Sequence, residues 1–294
     1  MHYKEIIEEL ESTGQYKVIH KYKQQKLYHR DDGSIKSKGI FLDVETTGLN
    51  YEKDKIIEIA LVPFEFSKDG RIFNIKDDYS CLNDPGIPLS PKIVSLTGLT
   101  DEKLIGKSFD ISLINNIVES VDLVIAHNAS FDRPFCEDFS DEFENIHWGC
   151  SMKDINWKEE DVSGLKLEYI AYKYGFFFEG HRATIDCQAG IEILSRPLFK
   201  SGELALKRLI DNALKTKIRL WALGAPFGKK DLLKQRKYRW NTGEKEGHKA
   251  WYIDLPEDEV DNELTYLRTH IFPQGIRNLP MERLSSKLRY SNRM

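Results

Sequence analysis

Cysteine is scarce in this chain: four in 294 residues, at Cys81, Cys136, Cys150 and Cys187. None forms a CxxC pair and no His/Cys cluster has zinc spacing, which excludes a zinc module and a disulfide scaffold. The four are expected to be free thiols of a reducing compartment, so any metal here is expected on oxygen ligands. Long apolar runs are also missing. None approaches the ~20 residues that a membrane-spanning helix needs. The first residues, MHYKEIIEELESTG, are charged and lack the apolar core of a signal peptide. The chain is therefore expected to stay where it is made, in the cytoplasm, with no membrane partner. Internal repeats, low-complexity tracts and clear heptads are absent as well.

What is present fits a globular chain with a core: 40% apolar and 31% charged residues. The net charge of −4 hides an asymmetry. Residues 200–294 carry 20 Lys+Arg against 12 Asp+Glu, net +8, and residues 1–199 carry 23 against 35, net −12. An acidic front and a basic rear suit a carboxylate site joined to a part that meets a polyanion. Ordinary surface variation would look the same.

Residues 1–14 read as a short amphipathic helix, and the basic, aromatic YKVIHKYKQQKLYH as an arm packed on the main domain. GIFLDV (39–44) and IIEIALVPFEF (56–66) read as strands, with a third over 71–82. DPGIPLSP breaks the chain, and a helix follows with Thr100 as its N-cap and Lys103 in its first turn. Then come a helix at ISLINNIVESV, a buried strand VDLVIA, and helices near 131–138, over SGLKLEYIAYKYGF, and near 183–195. This order predicts an α/β mixed sheet with helices on its faces. Three parts are expected: an N-terminal helix and arm (1–37), a main domain (38–198) and a small basic α+β domain (199–294) with a loose end over 275–294.

Three segments carry acids in informative places. In FLDVETTGL, Asp43 and Glu45 lie two apart on a predicted strand, so both project from one face. Two carboxylates on a buried strand repel and resist ionisation unless a cation lies between them. Exposed acids at a strand end are the plainer alternative. In VIAHNASFDRPF, His127 and Asn128 stand where a strand leaves the sheet and Asp132 falls in the next helix's first turn. That is a common place for sites in α/β sheets, though an acid there also simply favours the helix dipole. In GHRATIDCQAGIEIL, Asp186 sits on a helix of small and apolar residues, five positions after His181.

Taken together, Asp43 with Glu45, Asp132, and His181 with Asp186 resemble, in order and spacing, the three motifs of the DnaQ-like exonuclease family. The matching subgroup has four acids and a histidine and includes the proofreading epsilon subunit of bacterial polymerase III. DVETTGL, HNASFD and HRATIDCQA carry the resemblance, with SLTGLT (95–100) as a further signature, over about residues 38–196. The resemblance implies a ribonuclease H-like fold and a metal-dependent 3′–5′ exonuclease. Two Mg²⁺ or Mn²⁺ ions would be held by Asp43, Glu45, Asp132 and Asp186, and hard cations do prefer carboxylates. It further implies that Asp43 bridges both ions, that Glu45 and Asp186 help hold the ion that activates water, and that Asp132 acts partly through bound water. His181 would be the general base.

The substrate implied is single-stranded or 3′-ended DNA, with RNA not excluded. Thr46 and Leu49 would touch the terminal nucleotide, although a turn with an unusual φ at Gly48 also accounts for that segment. His127 and Asn128 would position the second motif beside the substrate. The tail resembles, over a short stretch, small domains that accompany some bacterial nucleases. Lys229, Lys230, Lys234, Arg236, Lys237 and Arg239 could face a phosphate backbone, with Trp240, Trp251 and Tyr252 either stacking or forming core. No flexible tether to a polymerase is evident, so a stand-alone or differently partnered nuclease is expected, with a polymerase or repair partner still open. The competing readings are a non-catalytic nucleic-acid binder on a nuclease fold and a hydrolase of dinucleotides or other small substrates.

Overall fold

The runs GIFLDV and IIEIALVPFEF become adjacent strands at the centre of the structure, a computed structural model that describes residues 3–243, 247–275 and 278–293. Two compact units are present, Met1–Asn212 and Ala213–Met294. The first contains α1 (Tyr3–Ser12), β1 (His20–Lys21), β2 (Lys36–Thr46), β3 (Ile56–Ser67), β4 (Ile72–Ile75) and β5 (Tyr79–Leu82). Helices α2 (Pro91–Thr97), α3 (Asp101–Leu104) and α4 (Ile111–Glu119) lead to β6 (Leu123–Ala126), α5 (Ala129–Phe139) and β7 (His147–Cys150). Then follow α6 (Leu167–Lys173), β8 (Phe176–Phe177), α7 (Ala183–Leu194) and α8 (Ala205–Ala213).

The main sheet runs β4–β3–β2–β6–β7, with β5 also on β3. β2 pairs antiparallel with β3 and parallel with β6, and β6 pairs parallel with β7. This is the mixed, helix-flanked α/β sheet that the sequence pattern predicts. Ile40, Phe41 and Leu42 are fully buried, as the centre of such a sheet requires. The expected third strand is two strands, because the charged run Lys76–Asp78 separates β4 from β5. The twelve-residue β3 is long enough to pair with both, one after the other.

Several local features differ from the sequence reading. DPGIPLSP does not only break the chain: Pro91 opens α2, Ser90 caps it by accepting from the Ile93 N–H at 3.3 Å, and Gly98 ends it at φ 68°. Thr100 does stand at the N-cap of α3, but its side chain makes no cap hydrogen bond and the helix has only four residues. Strand β7 has no counterpart in the sequence reading. The basic arm does pack on this unit: β1 pairs with β8, and the Tyr28 N–H donates to the Phe73 carbonyl at 3.0 Å.

The second unit contains β9 (Lys217–Ala222), α9 (Lys230–Gln235), β10 (Arg239–Trp240), β11 (Trp251–Pro256), α10 (Val260–Tyr266) and β12 (Met281–Leu284). Its sheet is antiparallel, in the order β10–β11–β9–β12. Leu220, Leu233, Leu255, Leu267 and Ile271 form its core. The unit division falls later than the expected 198/199 boundary, since Ala205, Leu206 and Leu209 of α8 are buried and Gly70 lies against Lys207. The expected loose end is partly structured: β12 pairs with β9, and the buried Arg289 donates to the Ala213 carbonyl at 3.0 Å. Residues 244–246, for which the sequence GEKEGHK suggests a charged turn, and 276, 277 and 294 of the tail lie outside the described residues. The aromatics divide. Trp240 is 48% exposed and meets Trp251 edge to face, and Tyr252 lies between Arg219 and Arg239. None of the three is fully buried.

Helix α7 approaches β2 at one point very closely. A Cβ added to Gly190 would lie 2.2 Å from the ring of Phe41, which is itself wholly enclosed. Gly190→Ala is therefore expected to overpack this contact and cost about 1–3 kcal/mol, read as a lower urea midpoint with an unchanged m-value.

Candidate active site

Alternation along β2 places Phe41, Asp43 and Glu45 on one face, and the Gly190–Phe41 contact identifies it as the face under α7. Asp186 lies one helical turn before Gly190 and so hangs over the same face. Side-chain oxygens of Asp43, Glu45 and Asp186 fall within 4.8 Å of one another. Asp132, in the first turn of α5, is also buried beside them, and its Oδ2 has no hydrogen-bond partner among the described residues. The Val44 backbone on β2 lies close enough to favour the charge on the Asp132 carboxylate.

Burial dominates the electrostatics. It pushes Asp43 well above the usual carboxylate range, and Asp132, Asp186, Glu45 and Glu58 push it further. Burial raises Glu45 to about 8, with Asp186 and Glu58 adding to the effect. Asp186 rises to about 7, mainly through burial and partly through Glu168. Asp132 rises mainly through burial. Such groups either hold protons or share a cation. Clustered, half-buried or buried, and with Asp132 Oδ2 unpartnered among the described residues, they fit a hard divalent cation.

His181 is exposed, has φ 65°, and lines a cavity of about 430 Å³ together with Asp43, Asp186, His127, Leu165 and Glu168. No hydrogen bond reaches its imidazole among the described residues. His127 is held on both nitrogens. Its Nε2 lies 2.7 Å from the Leu165 carbonyl and must donate to it, so Nδ1, 2.8 Å away, accepts from the Ser151 hydroxyl. Burial lowers its pKa, which keeps this neutral form. Asn128 precedes α5 in the left-handed region, φ 75°, and its side-chain oxygen accepts from Ser130 at 3.2 Å.

Thr46 is buried and donates to the Gly48 carbonyl, whereas Leu49 is 86% exposed. Gly48 is not needed for an unusual φ, because it is not among the glycines in the positive-φ region. A Cβ there would lie 2.5 Å from the Asp54 carboxylate, which itself accepts from the Asn50 N–H at 2.8 Å. Close packing of the Asp54 carboxylate, not handedness, is what the glycine accommodates.

Sequence reading missed two acids. Glu58 faces Glu45 across the β2–β3 pair and is 1% exposed, with Oε1 3.3 Å from Arg182 and Oε2 unpartnered among the described residues. Its signal was available, since it is the one charge inside IIEIALV. Glu168 lies near enough to Asp186 and Gly180 to shape the cavity, but it reads as a surface acid of an amphipathic helix. The six tail residues divide. Arg236 pairs with Glu263 and Arg239 with Asp254, while Lys229, Lys230, Lys234 and Lys237 have no ion pair among the described residues.

A family model described as exonuclease, RNase_T, matches residues 40–194. DNA polymerase III of the PolC type from Clostridium perfringens is 31% identical over 176 residues, which is 56% of this chain and 11% of that protein. The Lacticaseibacillus paracasei counterpart is 34% identical over 164 residues, 51% of this chain and 10% of that protein. The chain thus spans about a tenth of the length of the curated relatives it matches. Among solved structures, exonuclease X bound to 5′-overhanging duplex DNA is 23% identical, covering 59% of this chain and 99% of that one, with a TM-score of 0.40. Exonuclease I of E. coli with a dA16 oligonucleotide is 16% identical, covering 79% and 71%, with a TM-score of 0.48.

The raised carboxyl pKa values set a sign for stability. The folded state keeps protons that an unfolded chain releases above about pH 4, so stability falls as pH rises toward the folded values of about 7 and about 8. In EDTA, calorimetry should show Tm dropping between pH 5 and pH 8. Glu45→Gln should lessen that drop, and Mn²⁺ should raise Tm more at pH 8 than at pH 5, where protons compete with it.

Proposed function

The chain belongs to the RNase_T exonuclease family, and on that basis we propose that it is a divalent-cation-dependent 3′–5′ exonuclease acting on single-stranded or 3′-ended DNA and releasing nucleoside monophosphates. The observation that carries this reading is the convergence of Asp43, Glu45 and Asp186 within 4.8 Å, with Asp132 buried beside them and His181 on the wall of the same cavity.

Asp43, Glu45 and Asp186 would hold Mg²⁺ or Mn²⁺, two ions in all, with Asp132 completing the set. The chemistry such cations supply when bound is neutralisation of charge at the scissile phosphate. His181, exposed and without a hydrogen-bond partner among the described residues, is free to take a proton from the attacking water. Leu49 offers an apolar contact for a terminal base, and Thr46 shapes the turn that presents it. His127 lines the cavity, held by its two hydrogen bonds, and Asn128 would position the second motif beside the substrate. Lys229, Lys230, Lys234 and Lys237 would meet the phosphate backbone, with Phe227, 81% exposed and under the Lys230 ammonium, beside them. The PolC-type relatives are polymerases, and a polymerase partner would be recognised by co-purification.

With a 5′-labelled single strand, wild type and Mn²⁺ should give a ladder that shortens from the 3′ end. EDTA, Asp43→Ala and His181→Ala should each abolish it or slow it by about 100-fold or more. An intact strand in every lane would sink the proposal. A parallel RNA strand reads sugar preference. Replacing the four lysines by alanine in the full chain should weaken oligonucleotide binding and reduce the salt slope by about one for each phosphate no longer neutralised. An unchanged slope would remove these lysines from the substrate path.

A further inference from the structure

The imidazole of His181 is exposed and unpartnered among the described residues, and its backbone lies at φ 65°, a conformation that non-glycine residues rarely adopt. Nothing on the side chain itself holds it over the carboxylates, so its position depends on its neighbours in the chain. Two anchors are visible, and Arg182 contributes to both. The Arg182 backbone N–H donates to Asp186 Oδ2 at 3.0 Å, and the nearby His181 backbone also favours the charge on that carboxylate. The Arg182 guanidinium crosses to β3, where Nη2 lies 3.3 Å from Glu58 Oε1.

Glu58 is an unusual partner. It is enclosed in the sheet, directly opposite Glu45, and like charges so placed repel. Arg182 brings a positive charge to within 3.3 Å of it, and also lowers the Glu45 pKa. A buried, rigid carboxylate thus becomes a fixed point in the sheet to which a half-exposed side chain ties the segment Gly180–Arg182. Resting on the exonuclease reading above, we propose that Glu58 and Arg182 act as a pair of positioning residues that hold the backbone of His181, and so its imidazole, over the Asp43–Glu45–Asp186 cluster.

The alternative is that Arg182 merely balances the charge of the acids, in which case its loss would alter cation binding rather than turnover. The test uses Arg182→Ala, Glu58→Gln and the double variant of the full chain. At saturating Mn²⁺, each single variant should lose about 10- to 100-fold in kcat with KM unchanged. The double variant should lose little more than either single, because both break one tie. Added guanidinium should restore part of the Arg182→Ala loss, and Mn²⁺ titration should give the wild-type midpoint. In ion-free protein, which needs no activity, hydrogen exchange should quicken at residues 180–183 in both single variants and not in β2. Weaker Mn²⁺ binding with wild-type kcat at saturation would overturn the proposal in favour of charge balance, as would unchanged exchange at 180–183. Quickened exchange in a protein inactive on every strand would support the tie while defeating the exonuclease reading.

Discussion

Carboxylates crowded out of water repel one another, and the first unit is arranged around containing that repulsion. Asp43 and Glu45 come from the central strand, Glu58 from its neighbour, Asp132 from α5 and Asp186 from α7. Burial and mutual repulsion act on them together, and Arg182 brings a compensating positive charge to Glu58 and Glu45. A fold that concentrates like charge in its centre must recover the cost from the apolar packing around it. Here Phe41 and Ile125 pack on the same face of the sheet as the acids, and Ile57 and Ile59 on the other, all fully buried.

The supports of the site differ in stiffness. The seat of Asp186 is fixed by the contact between α7 and Phe41. That of Asp132 is fixed by its neighbour Arg133, which is wholly buried, reaches Glu137 at 2.6 Å and lies 5.3 Å from the Trp148 ring. His181, by contrast, stands on a short irregular segment before α7. On the proposed reading, the groups that would hold a cation thus stand on packed elements and the group that would take a proton on an irregular segment.

Much of the acid site could be read in the sequence because its signals are local. Asp43 and Glu45 are polar interruptions of an apolar strand, and Asp186 interrupts an apolar helix. Glu58 gives the same signal in IIEIALV, but it has no partner within its own segment, and its meaning appears only through the strand pairing that sets it against Glu45. Helix α2 was hidden because Pro91 reads equally as a breaker and as a first helical residue. Glu168 and the pairing of Arg236 and Arg239 are tertiary facts, invisible to periodicity. The strand in the tail, β12, is four residues long and carries two charges, too short and too polar to show alternation.

The placement of β2 has a consequence for the chain as it is made. Its antiparallel partner β3 follows at once, but its parallel partner β6 pairs from residue 123, and Asp186 completes the acids only with α7. A polypeptide emerging from the ribosome therefore holds Asp43, Glu45 and Glu58 before Asp132 and Asp186 have been made. Until the segment beyond residue 186 has cleared the exit tunnel, the acid cluster cannot close, and the site is assembled only once most of the first unit has been made.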